Sequence, residues 1–222
     1  APSREVLRID TLQSFAVKWL VPRLARFYAL HPDINVWIST HDQFVDFADH
    51  DVDIAIRLGD GHFPGLDSVL LLREEVFPVC TPEFLARTGR PSTPRGLLKC
   101  PLLLRLGELY HTNWEDWFEA AGIPGVNLDE GPRFPDTNMA LEAALEGQGV
   151  ALARTAHVVD DLHSGRLVRL FDIRCASNVA YYLLFPPGHR DHPVIAAFCA
   201  WIIDEIATTQ RHAEAVGAAA PG

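Results

Sequence analysis

No stretch of this sequence comes near the roughly 20 consecutive apolar residues that a membrane-spanning helix needs, and no membrane partner is expected. Basic residues are scarce: 19 Lys and Arg stand against 29 Asp and Glu, leaving a net charge of -10. Gripping a phosphate backbone takes clustered Lys and Arg, so any contact with nucleic acid is expected to lie outside the sequence shown. The cysteines are few and unclustered. Cys80, Cys100, Cys175 and Cys199 are 20, 75 and 24 residues apart, which excludes a CxxC metal or redox motif. Each sits beside apolar residues, so four reduced and mostly buried thiols in a cytosolic protein are expected.

Catalytic signatures are missing too. There is no GxSxG elbow, P-loop or GxGxxG, and the GQG at 147–149 ends a helix rather than opening one. The pairs His189-x-x-His192 and His157 with His163 have no HExxH pattern and no Cys or carboxylate at metal spacing. These histidines are expected on the surface or in loops. No nucleophile, base and orienting acid assemble, so the expectation is a non-enzyme without catalytic residues, metal or cofactor.

What is present is ordinary globular composition, 48% hydrophobic and 22% charged, in a chain long enough to bury one large core or two small ones. The start, APSREVLRID, lacks Met and a signal-peptide core and reads as a cut or processed boundary. The end, AEAVGAAAPG, reads as a frayed tail.

The organising stretch is VLRIDTLQSFAVKWLVPRLARFYALHP, residues 6–32. A short apolar strand (Val6, Leu7, Ile9) passes through small polar residues into a helix whose apolar face is set by Val17, Leu20, Leu24, Phe27 and Tyr28. Pro22 should kink this helix or open its main segment after a looser turn. Strand, polar turn and helix together place backbone N–H groups at the strand's carboxyl end, where open α/β sheets bind ligands.

Strands are expected at 34–38, 52–57, 66–72, 75–80, 102–105, 150–153, 167–171 and 179–185. Helices are expected at 43–48, from Thr81 as N-cap with Pro82 first, and at 114–121, 139–146, 155–163 and 193–206. Trp114 and Trp117, three apart, read as core. Alternating strands and helices with short connections predict parallel sheet. Strand–polar turn–helix recurs at 134–141, as a two-lobed binding protein requires.

Across nearly the whole length, the sequence resembles the effector-binding domain of LysR-type transcriptional regulators, and within them the glycine-cleavage activators and β-lactamase regulators. The resemblance rests on WLVPRLARFYALHPDINV (19–36), VDFADHDVDIAIRLGDG (45–61), FPVCTPEFL (77–85), GPRFPDTNMALEAALEGQGVALAR (131–154), SGRLVRLF (164–171) and HPVIAAFCAWI (192–202). It implies an α/β fold of two Rossmann-like subdomains joined by two crossing strands, periplasmic-binding-protein-like (type 2). Residues 1–78 plus 178–222 would form one subdomain and 79–177 the other. A winged helix-turn-helix that reads DNA would lie outside this chain.

The implied function is sensing a small metabolite (an amino acid, peptide or carboxylate-like effector) in the interlobe cleft of a cytoplasmic bacterial regulator. Such a regulator would be a homodimer or homotetramer and would meet RNA polymerase. Helices 17–28 and 195–206 would serve as dimer surfaces. The alternative is a periplasmic solute-binding protein of a transporter.

The effector-binding set is Thr11, Leu12, Gln13, Ser14 and Phe15 in the first turn, Thr40 at a strand end, Arg105, the second turn Phe134, Pro135, Asp136 and Thr137, and Tyr181. Each has a plainer reading. Ser14 and Asp136 would simply cap helices, Arg105 would pair with a surface acid, and Tyr181 would be a buried, satisfied tyrosine. His41 reads as a surface residue and Arg57 as part of an interlobe polar network. Asp10 and Asp136 would bring negative charge to the cleft and favour an effector with a cationic group.

Overall fold

The computed structural model describes residues 5–43, 47, 51–106, 113–128, 130–173 and 175–218. The helix expected at 43–48 falls almost wholly outside these residues. The chain opens with β1 (Glu5–Thr11), then a composite helix that begins as α1 (Gln13–Phe15) and finishes as α2 (Leu24–Leu30), then β2 (Ile34–Thr40), β3 (Ile54–Gly59) and β4 (Asp67–Cys80). It continues with α3 (Pro82–Thr88), β5 (Leu102–Arg105), α4 (Trp114–Ala120), β6 (Arg133–Phe134), α5 (Thr137–Leu145) and β7 (Val150–Arg154). The last elements are α6 (Thr155–His163), β8 (Val168–Arg169), β9 (Cys175–Phe185) and α7 (Pro193–Ala218). Contacts divide the chain into two units: Ala1–Arg73 with Asn178–Gln210, and Glu74–Ser177 with Arg211–Gly222.

In the first unit β2, β1 and β3 lie side by side and parallel, and β9 closes against β3 in the opposite direction. The β1–β2 register pairs Glu5 with Ile34 and Thr11 with Thr40, so both strands end at the same edge. Between them the composite helix runs through one π-helical turn, Ala16–Leu20, and a 3₁₀ turn, Val21–Arg23, before α2. Pro22 therefore opens a segment, where its missing N–H removes no helical bond.

The two irregular turns change which face is buried. Leu20, Leu24 and Phe27 are in the core as expected, but Val17 is 50% and Tyr28 38% exposed. Phe15, Ala16 and Trp19 take their places, because a π turn holds more residues than an α turn and a 3₁₀ turn fewer. Helix α7 buries Ile195, Phe198, Ile202 and Ile206 within this unit, and Phe27 packs on Phe198 and Trp201 at ring distances of 5.5 and 5.1 Å. The apolar face of 195–206 is thus core, not subunit surface. Trp19 Nε1 donates to Thr209 Oγ1 at 2.9 Å, and α7 continues to Ala218, past the expected end at 206 and into the segment expected to fray.

The second unit is built on the strand order β4–β7–β5–β6, with β7 antiparallel to β4 and β5 and β6 parallel to β7. Its period-two pattern buries both faces. Leu102, Leu104 and Val150 face a layer with Phe84, Trp114, Trp117 and Phe118. Leu103, Ala151, Ala153 and Val79 face Leu141, Ala144 and Val158. The tryptophans are core, as the spacing predicts. Thr81 Oγ1 caps α3 by accepting from Phe84 N at 3.1 Å.

The strands expected at 66–72 and 75–80 are one strand, β4, and the strand expected at 167–171 shrinks to two residues. Gly147 ends α5 at a φ of 68°, with its N–H on Ala144 O and that of Gln148 on Ala143 O. This is a Schellman closure, which needs the left-handed residue. All four cysteines are free, and burial pushes the Cys80 thiol up to about 12 and Cys199 to about 11.

Candidate functional site

The twelve residues expected to bind an effector fall into two sets, one in each unit. In the first unit Thr11 and Thr40 end neighbouring parallel strands, with Thr40 exposed. Leu12, not Ser14, is the N-cap of α1, and no side chain caps it. The plainer reading of Ser14 is therefore overturned: the chain enters a π-helical turn within a few residues, and Ser14 sits inside α1 rather than ahead of it. Gln13 is exposed, whereas Leu12 and Ser14 are half-buried. Phe15 is fully buried and stacks on Tyr181, itself fully buried, with ring centroids 4.6 Å apart. The Thr11 hydroxyl is buried with no hydrogen-bond partner among the described residues.

Next to Thr11, Asp10 is fully buried. Its carboxylate is taken by the Arg57 guanidinium, by Ser39 Oγ at 2.7 Å and by His41 Nδ1 at 2.5 Å. Asp10 therefore does not present free negative charge to a ligand, contrary to the sequence expectation. His41 is half-exposed yet tied into this cluster. Burial lowers the Arg57 pKa to about 10, which still leaves it cationic at neutral pH beside the carboxylate it pairs with.

In the second unit Asp136 is the N-cap of α5, accepting from Met139 N at 3.0 Å. The plainer, capping reading of Asp136 thus holds, and one of its oxygens is committed to the helix. Phe134 pairs in register with Arg105 and packs half-buried against Leu141 and its neighbours, while Pro135 is exposed. Arg105 and Thr137 line one cavity of about 240 Å³, contained within this unit.

Three residues that the sequence reading passed over shape that cavity and its surroundings. Arg133 and Arg154 line it, and Glu74 lies behind Arg154. Arg154 is 6% exposed and donates to Ser177 Oγ at 3.1 Å, and Arg133 donates to the Leu128 carbonyl at 2.7 Å. Glu74 is fully buried. Desolvation raises its carboxyl to about 8 although Arg154 and the Ala156 N–H both pull it down. The available signal was the pair of strand endings LLLR and VALAR: in parallel neighbours, both arginines leave the same sheet edge.

The remaining histidine expectation needs correction. His157 is 4% exposed, because it sits on the inward face of α6 rather than in a loop. Among the described residues no three His, Cys, Asp or Glu side chains are grouped to hold a metal ion, and no helix is long and apolar enough to cross a membrane.

Comparison with known proteins supplies the context. Residues 1–207 match the family model of the LysR substrate binding domain. The glycine cleavage system transcriptional activator of Escherichia coli K12 is 36% identical over 209 residues, covering 94% of this chain and 68% of the relative. The HTH-type transcriptional activator AmpR of Pseudomonas aeruginosa is 35% identical over 211 residues, again covering 94% and 68%. The solved effector domain of AmpR from Pseudomonas aeruginosa superposes with a TM-score of 0.75 at 32% identity, covering 93% of this chain and 98% of that one. The regulatory domain of CrgA from Neisseria meningitidis, at 19% identity and a TM-score of 0.75, shares the fold.

Proposed function

The chain belongs to the LysR substrate binding domain family, and from that premise we propose that it senses a small metabolite for a transcriptional regulator. The observation that carries this reading is the unbroken match over residues 1–207, with relatives whose printed function is transcriptional activation. Those names count against a transporter's solute-binding protein and against an enzyme.

The effector would lie between two lobes, 1–78 plus 178–222 and 79–177. Thr11, Leu12, Gln13, Ser14, Phe15, Thr40 and Tyr181 would contribute from one side. Arg105, Phe134, Pro135, Asp136 and Thr137 would contribute from the other. The arrangement supports this by placing both polar turns at strand ends that open helices, the position at which α/β sheets take ligands. Binding regulates only if the effector prefers one arrangement of lobes or subunits over another.

DNA would be reached through a separate domain, in a cytoplasmic homodimer or homotetramer that meets RNA polymerase. Val17, Val21 and Tyr28, left exposed by the π turn, would supply the apolar part of a subunit contact.

The test is a thermal-shift screen of amino acids, short peptides and small carboxylates, repeated on Thr11→Val and Ser14→Ala. An effector that stabilises the parent chain and loses affinity in Thr11→Val supports the site. Equal stabilisation of all three chains removes both residues from it. Sizing of the chain with Val17→Glu against the parent tests the subunit contact.

A further inference from the structure

A chain with ten more acidic than basic residues gathers three guanidinium groups around one small cavity. Arg105, Arg133 and Arg154 line the pocket of the second unit, and a single carboxylate, Glu115, lines it with them. Like charges brought together repel, more strongly as water is excluded, and low-dielectric walls focus the resulting field into the cleft. The contacts already described occupy part of this donor set: Arg154 serves Ser177, and Arg133 serves the Leu128 carbonyl. A guanidinium carries five N–H donors, so each retains capacity for an anion. Burial keeps the Glu74 carboxyl largely protonated at neutral pH, so it cancels little of the charge on Arg154.

We propose that this pocket binds the carboxylate end of a small organic acid, held by Arg105, Arg133 and Arg154 of the second unit. The inference rests on the effector-sensing reading and names the chemical class of the ligand. Arg105 and Arg154 close adjacent parallel strands and leave one sheet edge, a geometry that suits the forked recognition of a carboxylate. Thr137, in the first turn of α5, adds a hydroxyl to the same wall. Val76, Leu104, Ala140 and Leu152 make the rest of the lining apolar. A volume of about 240 Å³ lies below the range typical of drug-sized ligands, so the hydrocarbon body of the acid is short. An amine of the same size meets three positive charges and is excluded.

The test titrates butyrate, succinate and butylamine, at constant ionic strength, into the nitrogen-15-labelled chain. The readout is the Trp114 indole N–H resonance, assigned with Trp114→Phe. This group lies in the pocket wall and donates to the Leu103 carbonyl at 3.2 Å. A saturable shift is expected with the acids and none with butylamine. Arg105→Gln and Arg133→Gln should each weaken the acids by about tenfold or more, the usual worth of a charged hydrogen bond. Arg133 is exposed, so its variant keeps the fold, as unchanged spectral dispersion would verify.

Affinity for the acids that is unchanged in both variants, or an equal response to butylamine, overturns the proposal. So does the absence of a saturable shift up to roughly 100 mM acid, weaker than any ordinary metabolite affinity. If a neutral or cationic metabolite shifts the spectrum while the acids do not, the sensing role stands and the anion assignment falls. If no compound of any class shifts it, both fall.

Discussion

Replacing Glu74 with glutamine should flatten the pH dependence of the chain's stability. Glu74 is fully buried on β4, and burial lifts its carboxyl from the ordinary 4.5 to about 8. Below pH 4.5 the folded and unfolded chains are both protonated and the group is neutral in both. Between 4.5 and 8 the unfolded chain sheds a proton that the folded chain keeps, so stability falls as pH rises. Above 8 the loss is complete. Each tenfold difference in proton affinity is about 1.4 kcal/mol, so the full displacement is worth roughly 5 kcal/mol, of which roughly 3 lie between pH 6 and pH 9.

Glutamine keeps an acceptor for the Ala156 N–H, which Glu74 Oε2 meets at 3.5 Å, and it does not ionise. Urea unfolding of both chains at pH 6, 7.5 and 9 should therefore show Glu74→Gln gaining on the parent by roughly 3 kcal/mol over that range. Parallel pH profiles would refute the reasoning. So would a variant less stable at every pH by roughly 3–5 kcal/mol, the signature of a broken buried ion pair, which would mean that Glu74 is ionised against Arg154.

Three further outcomes follow from the geometry. Asp136→Ala should cost about 1 kcal/mol of stability by removing the α5 cap, and Asp136→Asn should recover most of it, read by thermal melting. Arg57→Ala should cost roughly 3–5 kcal/mol in urea unfolding, because it leaves the Asp10 carboxylate buried without its cation; adding Asp10→Asn to it should recover stability. Gly149→Ala should lose roughly 1–3 kcal/mol, since a Cβ there runs into the Pro101 carbonyl; a melt unchanged from the parent would show that the β5–β7 edge yields.

Strand positions were legible because alternation and short apolar runs survive folding unaltered, as at residues 34–38, 102–105 and 150–153. The composite helix was not, since its phase depends on a π turn that backbone packing chooses rather than any residue pattern. Strand β4 was read as two pieces because Arg73, Glu74 and Glu75 look like a polar break; inside the fold, the middle one of the three is simply buried in the strand. The polar turns could be located from sequence, but not the loads their side chains carry. Asp10 is consumed by Arg57, which comes 47 residues later. The arginines at 133 and 154 acquire meaning only once β7 and β5 are known to be neighbours, and that order is a property of the sheet, not of either segment.

The split composition of the first unit also dictates how the protein is born. Its strands β1 to β3 leave the ribosome first, yet the partner of β3, and the helix that buries Trp19 and Phe27, come from Asn178–Gln210, at the far end of the message. At ordinary elongation speeds the wait is on the order of ten seconds. The second unit, nearly contiguous in sequence, meanwhile has all its strands in hand. The nascent chain thus carries an unfinished sheet, with one bare edge at β3, and such an edge invites pairing with other chains. The half of the molecule translated first is the half completed last, and over that interval it depends on chaperones to keep its edge unpaired.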